Sequence, residues 1–381
     1  MKRIGIILMA LALVVVCLPV TAQAGPAEVR AKSALLMDAA TGTILYEQNS
    51  HEKLAPASVT KVMTMLLIME AIDDGRIGWD DMVTASEAAA AKGGSQVYLK
   101  VGETMTVTDM VKSIAVSSAN DCACAMAEHL AGSEASFVEQ MNARAAELGM
   151  NDTHFVNCTG LDDDPNAAEH LTSAHDIAVM SRQLLMNHPD IKKFTTIWMD
   201  TIRNGTFGLS NTNKLVRFYA GATGLKTGFT ANAGYCLSAS AQRDGMDLIA
   251  VVMGSETSKD RFAACKSLLD YGFANYALVV PEIKEGQVNV KLGVAERVKA
   301  VPAEDPKLLI DKSQRGSVTT DIALEESVTA PVSKGQRLGT MTVRAGEQIL
   351  SQIPMVAADP VPKLSWGELF VKLLRQIAMA R

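Results

Sequence analysis

Hydrophobic and polar positions alternate with two different periods along this chain. Residues Lys32 to Asn49, KSALLMDAATGTILYEQN, place two apolar runs around the turn Asp38-Ala39-Ala40-Thr41-Gly42, the pattern of a β-hairpin. Apolar residues then recur at helical spacing from Ser58 to about Ile72, where Asp73-Asp74-Gly75 stops the helix. Two further helices are predicted between about Val107 and Ala131, broken at SSAN, and another from Ser133 to about Leu148. Asn151 to His170 lacks a period and carries GLDDDPN at its centre, so it reads as a long loop. Helix returns from Thr172 to about Asn187.

From Gly221 the period shortens to two and the residues become small and β-branched. GLKTGFT, GYCLSASAQ and DLIAVVMG read as consecutive strands, the last two joined by Arg243-Asp244-Gly245. SKDRFAACKSLLDYGFANY reads as a closing helix. The order predicts an α+β domain over residues 25–280: an antiparallel sheet covered by helices, with a helical insertion. From Pro281 to about Ala357 short strands alternate with Gly, Pro and Asp turns, which predicts a small C-terminal all-β domain over 281–358.

Both ends carry their own pattern. MKRIGIILMALALVVVCLPVTAQAG has a basic start, an apolar run and the small-residue site Ala22-Gln23-Ala24. It reads as a secretory signal peptide over residues 1–24, which takes Cys17 with it. At the other end, in the segment 359–381, Trp366, Leu369, Phe370, Leu373, Leu374 and Ile377 share one face of a helical wheel. Glu368, Lys372, Arg375 and Gln376 share the opposite one. Lys363, Lys372, Arg375 and Arg381 make this tail basic. It is too short and too charged to span a bilayer and suits the surface of a membrane, the alternative being a helix docked on its own β domain.

Composition narrows the function. An apolar content of 48% is that of a globular protein, and a formal charge of −6 makes a poor surface for nucleic acid. Past the leader five cysteines remain, Cys122, Cys124, Cys158, Cys236 and Cys265, without metal-ligand spacing. They read as buried thiols rather than a disulfide framework.

The candidate chemistry begins in PASVTKVMT. Ser58 and Lys61 lie three apart, on one face of the predicted helix, so they can touch. A neutral lysine beside a serine hydroxyl can act as its base, although a lone S-x-x-K also fits a capping serine and a solvated lysine. Two more short motifs follow: Ser118-Ala119-Asn120 at the break between helices, and Lys226-Thr227-Gly228 on a predicted strand. Each alone is weak. Together, in this order and in these settings, they form a recognised signature.

The chain resembles the serine D-Ala-D-Ala carboxypeptidases among the low-molecular-mass penicillin-binding proteins, from about Lys32 to the C-terminus. Ala119 suits that family, whereas β-lactamases more usually carry Asp there. The resemblance implies a β-lactamase/transpeptidase-like fold and removal of the terminal D-alanine from peptidoglycan stem pentapeptides through an acyl-enzyme on Ser58. β-Lactam antibiotics would be covalent inhibitors. Lys61 would accept the serine proton, and Lys226 would supply positive charge that helps keep it neutral. Ser118 would relay the proton to the leaving D-alanine, and Asn120 would hold Lys61 and the substrate amide. Lys226 and Thr227 would bind the terminal carboxylate, and Gly228 would let substrate lie against the strand edge. The backbone N–H groups of Ser58 and Phe229 would form the oxyanion hole. Arg261 would help bind the carboxylate. No cofactor and no metal are implied. The expected place is outside the cell's cytoplasm, on the outer face of the cytoplasmic membrane.

Other residues offer less. His170 and His175 are five apart, not the i, i+4 pair of a helical metal site, and read as structural. Asp162, Asp163 and Asp164 read as solvated, and Glu169 is the nearest candidate for a deacylating carboxylate. The alternatives are a β-lactamase and a non-catalytic penicillin-sensing or wall-binding protein.

Overall fold

The structure, a computed structural model, describes residues 25–379 apart from Asp164, Lys284 and Asp305; the side chains of Leu373 and of residues 375–379 are also outside it. The expected signal peptide with Cys17, and Arg381, lie outside the described residues.

A five-stranded antiparallel sheet organises the first domain. Its order is Ile44–Gln48, Ser33–Asp38, Met246–Ser255, Gly234–Arg243 and Ala222–Thr230, so the strand that carries Lys226 is an edge strand. The inner strands are apolar on both faces because both faces are covered. Leu35, Met37, Ile249 and Val251 point into a large helical core, while Ala34, Leu36, Leu248 and Ala250 meet the closing helix Ser258–Asn275. This is the period of two in structural form. Truncating a core residue such as Leu36 would cost about 2–5 kcal/mol.

The helices form where their start signals lie. Ser133 Oγ accepts the Ser136 N–H at 3.1 Å to open Glu134–Glu147, and Ser173 Oγ accepts the Asp176 N–H at 3.2 Å to open Ala174–Asn187. The break at SSAN separates Val107–Ser117 from Asn120–Ala131. The segment predicted as helix from Ser58 differs in its first turn: Ala57–Thr60 is a 3₁₀ turn, and the α-helix runs Lys61–Asp73. A short hairpin, Met199–Ile202 with Phe207–Ser210, has no counterpart in the sequence pattern because its strands have only four residues each.

The C-terminal strands build a six-stranded sheet in the order Val318–Leu324, Arg337–Ala345, Gln348–Ala357, Arg297–Pro302, Gly286–Lys291 and Ser327–Thr329. Val288, Val298, Leu338, Met341 and Ile353 fill its core. Val361 belongs to this core as well, bridging to Val332, and Leu364 N donates to Leu292 O at 2.9 Å. The tail helix Trp366–Met379 follows, opened by a capping box in which Glu368 accepts from both the N–H and the hydroxyl of Ser365.

Candidate active site

Ser58 sits in a turn that the surrounding chain holds in place. Ala57 has φ 48°, a conformation uncommon for a residue with a Cβ. Thr60 Oγ1 donates to the Ala57 carbonyl at 2.8 Å. His170 Nδ1 accepts the Val156 N–H at 3.1 Å, so Nε2 carries the proton and donates to Thr60 Oγ1 at 2.8 Å. His170 is therefore a structural latch on the serine turn. Side chains three apart eclipse in a 3₁₀ turn, which stacks Ser58 directly over Lys61.

Lys61 is wholly buried, and its Nζ donates to Ser58 Oγ at 2.9 Å and to the Thr159 carbonyl at 2.7 Å. Burial pulls its pKa down to about 7, against the opposing pull of Cys158 and Asp121. Lys61 and Lys226 act on each other: the repulsion between the two buried amines disfavours charging both.

The Thr159 carbonyl is aimed by the long loop expected between Asn151 and His170. Asn157 Oδ1 accepts the Thr159 N–H, the Thr159 hydroxyl and the Gly160 N–H at 3.1, 3.2 and 2.7 Å. Thr64 Oγ1 donates to the Cys158 carbonyl at 2.6 Å. Gly160, at φ 80°, packs so close to the serine turn that a Cβ there would lie 1.9 Å from the Ala57 carbonyl oxygen. The available signal was Asn157 three residues before Gly160, an Asx-type turn.

Ser118 ends its helix in the left-handed conformation, φ 62° and ψ 30°, and this turn lets Asn120 start the next helix. Both are buried. Asn120 N donates to Ser95 O and Asn120 Nδ2 to Gly93 O, each at 2.7 Å. Asn120 therefore anchors on the 93–95 loop rather than on Lys61, as had been expected. Its Oδ1 is buried and has no hydrogen-bond partner. Such an oxygen is costly unless an N–H donor reaches it.

Lys226 and Thr227 are buried on the edge strand. Burial, then the charges of Lys61 and Arg261, hold the Lys226 pKa well below its ordinary value. Its Nζ donates to the Thr227 carbonyl at 3.0 Å. Thr227 Oγ1 donates to Thr212 Oγ1 at 2.6 Å, and Thr212 N donates to Val116 O at 3.1 Å. Thr212, which the motifs did not indicate, thus ties the strand to the end of the helix that presents Ser118.

Two expected roles shift. A Cβ on Gly228 would lie 2.6 Å from the Pro56 carbonyl oxygen and 3.2 Å from the Ala57 Cβ. The bare Cα accommodates the protein's own serine turn. Arg261 is buried, and its Nη1 donates to the carbonyls of Gly228 and Cys236 at 3.0 and 3.3 Å. It braces the edge strand from behind, between the rings of Tyr235 and Phe262. Phe229 is exposed, with its ring centroid 4.3 Å from that of Tyr235.

Glu169 is exposed in a 3₁₀ turn, and His175 pairs with Asp176 at 3.0 Å. The five described cysteines are free and buried. Among the described residues no group of three or more His, Cys, Asp or Glu is placed to hold a metal ion.

Residues 20–257 match the peptidase family described as D-alanyl-D-alanine carboxypeptidase, and residues 278–363 match the penicillin-binding protein 5 C-terminal domain. The D-alanyl-D-alanine carboxypeptidase DacF of Bacillus subtilis (strain 168) is 44% identical over 341 residues, 87% of this chain and 86% of its own length. The crystal structure of penicillin binding protein 5 from Haemophilus influenzae superposes with a TM-score of 0.76 at 32% identity, covering 89% of this chain and all of that one. Penicillin-binding protein D2 from Listeria monocytogenes, in its ampicillin-bound form, superposes with a TM-score of 0.56 at 32% identity, over 64% of this chain and 98% of that one.

Proposed function

The chain belongs to the D-alanyl-D-alanine carboxypeptidase family of serine peptidases, and we propose that Ser58 is the nucleophile with which it releases the terminal D-alanine of peptidoglycan stem peptides. One observation carries this assignment: the buried Lys61 amine, with a pKa near 7, donates its hydrogen bond to the Ser58 hydroxyl at 2.9 Å. In its neutral form the same amine can take the serine proton.

The reaction then follows from the neighbours. Ser58 Oγ attacks the carbonyl carbon of the D-Ala–D-Ala bond as its proton passes to Lys61. The oxyanion forms against the backbone N–H groups of Ser58 and Phe229. Ser118 relays a proton to the departing amine, and free D-alanine leaves an ester on Ser58. Water cleaves the ester. The substrate's terminal carboxylate meets the buried amine of Lys226, which has no carboxylate partner among the described residues, and Thr227. Asn120 Oδ1 receives the substrate amide N–H. Arg261 acts through the edge strand it braces. β-Lactams acylate the same serine.

The wall substrate puts the enzyme on the outer side of the cytoplasmic membrane, which the basic, apolar leader of residues 1–24 suits. Residues 25–280 form the catalytic domain, 281–358 a β-rich domain on which the segment to Leu364 still packs, and the helix Trp366–Met379 an in-plane anchor. Among the described residues no helix is long and apolar enough to cross a membrane. Trp366 is 88% exposed and Phe370 64%, and the two stand on the expected apolar face.

The test is Ser58→Ala, assayed for D-alanine release from diacetyl-Lys-D-Ala-D-Ala and for labelling by a fluorescent penicillin. Both should vanish while melting stays normal. Persistent labelling of a folded variant would sink the assignment, and fast turnover of a chromogenic cephalosporin by the wild type would favour a β-lactamase.

A further inference from the structure

Tyr98 combines three properties that rarely occur together. Its side chain is exposed, at 68%. Its backbone is left-handed, with φ 59°, which is unusual for a bulky residue. Yet the chain around it is fixed from both sides by charged residues. The Asp121 carboxylate, fully buried, accepts the N–H groups of Val97 at 3.1 Å and Leu99 at 3.0 Å. Arg203 donates to the carbonyls of Val97 and Tyr98 at 2.7 and 3.3 Å while pairing with Glu103 at 2.6 Å. Phe207, on the short hairpin, meets the Tyr98 ring edge-on at 6.5 Å between centroids. The backbone that carries an exposed aromatic ring is thus clamped in an uncommon conformation, with little gain from burial of the ring itself.

Its place explains the cost. Tyr98 follows by three residues Ser95, whose carbonyl takes the Asn120 N–H, and the carboxylate that clamps it belongs to the next residue, Asp121. The ring is therefore carried by the segment that anchors Asn120, whose side chain is to meet the substrate amide.

We propose that Tyr98 is a specificity-determining residue: its ring is a preformed platform for the aliphatic side chain of the stem residue that precedes D-Ala–D-Ala. The proposal rests on the carboxypeptidase reading of the site. A tyrosine offers broad apolar contact at small entropy cost, and here the backbone that carries it is already clamped.

The experiment compares diacetyl-Lys-D-Ala-D-Ala with acetyl-Ala-D-Ala-D-Ala, which differ only in that side chain's length and cap. For Tyr98→Ala the KM of the lysyl peptide should rise about fivefold, the yield of contact with one or two methylenes. The kcat of both peptides and the KM of the alanyl peptide should stay at wild-type values. Tyr98→Phe should behave as wild type. An equal loss for both peptides would make the ring a general wall of the cleft and overturn the proposal. An unchanged lysyl KM would place the ring outside the substrate path and also overturn it. Failure of the wild type to cleave either peptide would instead strike the carboxypeptidase reading, and the proposal with it.

Discussion

Gly160 and Ala57 touch backbone to backbone: the space where a Cβ of residue 160 would stand is 1.9 Å from the Ala57 carbonyl oxygen. The loop that hydrogen-bonds Lys61 is thereby pressed onto the turn that presents Ser58. The two halves of the nucleophile's environment hold each other in register.

Gly160→Ala should therefore cost activity through geometry alone. The added methyl meets backbone, which cannot rotate away, and the residue's φ of 80° is itself unfavourable for alanine. Destabilisation of about 3 kcal/mol is expected, by the scale of overpacking. Penicillin labelling should slow at least tenfold in whatever fraction remains folded. A variant with normal labelling and normal melting would show that the contact is not tight.

The pH dependence of acylation should report Lys61. With its pKa near 7, the reactive neutral amine grows as pH rises, so kcat/KM should climb along a limb with a midpoint close to 7. Stability should move the same way. Between about 7 and the ordinary 10.5, the unfolded chain binds a proton at this lysine that the folded chain does not. The unfolding free energy therefore rises with pH across that window. Denaturant titrations of wild type and Lys61→Met should differ in this slope, the variant being flatter. A limb centred near 10 would refute the depressed pKa.

Lys226→Ala should discriminate between substrates with a free terminal carboxylate and their amide analogues. A charge-assisted hydrogen bond is worth about 1.5–3 kcal/mol, so the acid substrate should lose about 10- to 100-fold more in kcat/KM than the amide. Equal losses would mean that Lys226 acts only through the electrostatics of the pair it forms with Lys61.

Cutting the chain before the tail helix should free the enzyme from membranes. The cut belongs after Leu364, because Val361 sits in the β-domain core and Leu364 bonds to Leu292. The truncated protein should fractionate as soluble and keep its D-alanine release. Salt should weaken membrane binding of the intact protein only in part, since the apolar face is insensitive to screening. Retention of the truncated protein on membranes would remove the anchor assignment.

What was legible in the sequence was local. Ser58 and Lys61 are separated by one helical turn, so their contact could be read from spacing, and the period-two run around Lys226 marked a strand. What was not legible depended on distant chain. Thr159 acts through a carbonyl, which no side-chain motif announces. Thr212 and Asp121 matter because folding brings them to Thr227 and to the amides beside Tyr98. Arg261 and Gly228 were recognised as positions, but their packing partners within the protein were not. Whether a guanidinium faces substrate or the back of a strand, and which neighbour fills the space beside a glycine, depends on packing.

The strand with Lys226, at the rim of its sheet, has one further consequence. An unpaired strand edge is a template on which any extended chain can be added, including another protein's strand, and such edges promote aggregation. Here the edge must stay open for a peptide ending in D-alanine, so it is not sealed by a further strand. The buried amine beside it offers a filter: its charged form is favoured by a terminal carboxylate, which a passing strand of L-residues does not bring. Electrostatic selection by the end of the ligand, rather than coverage of the edge, then disfavours pairing of this edge with a strand of another chain.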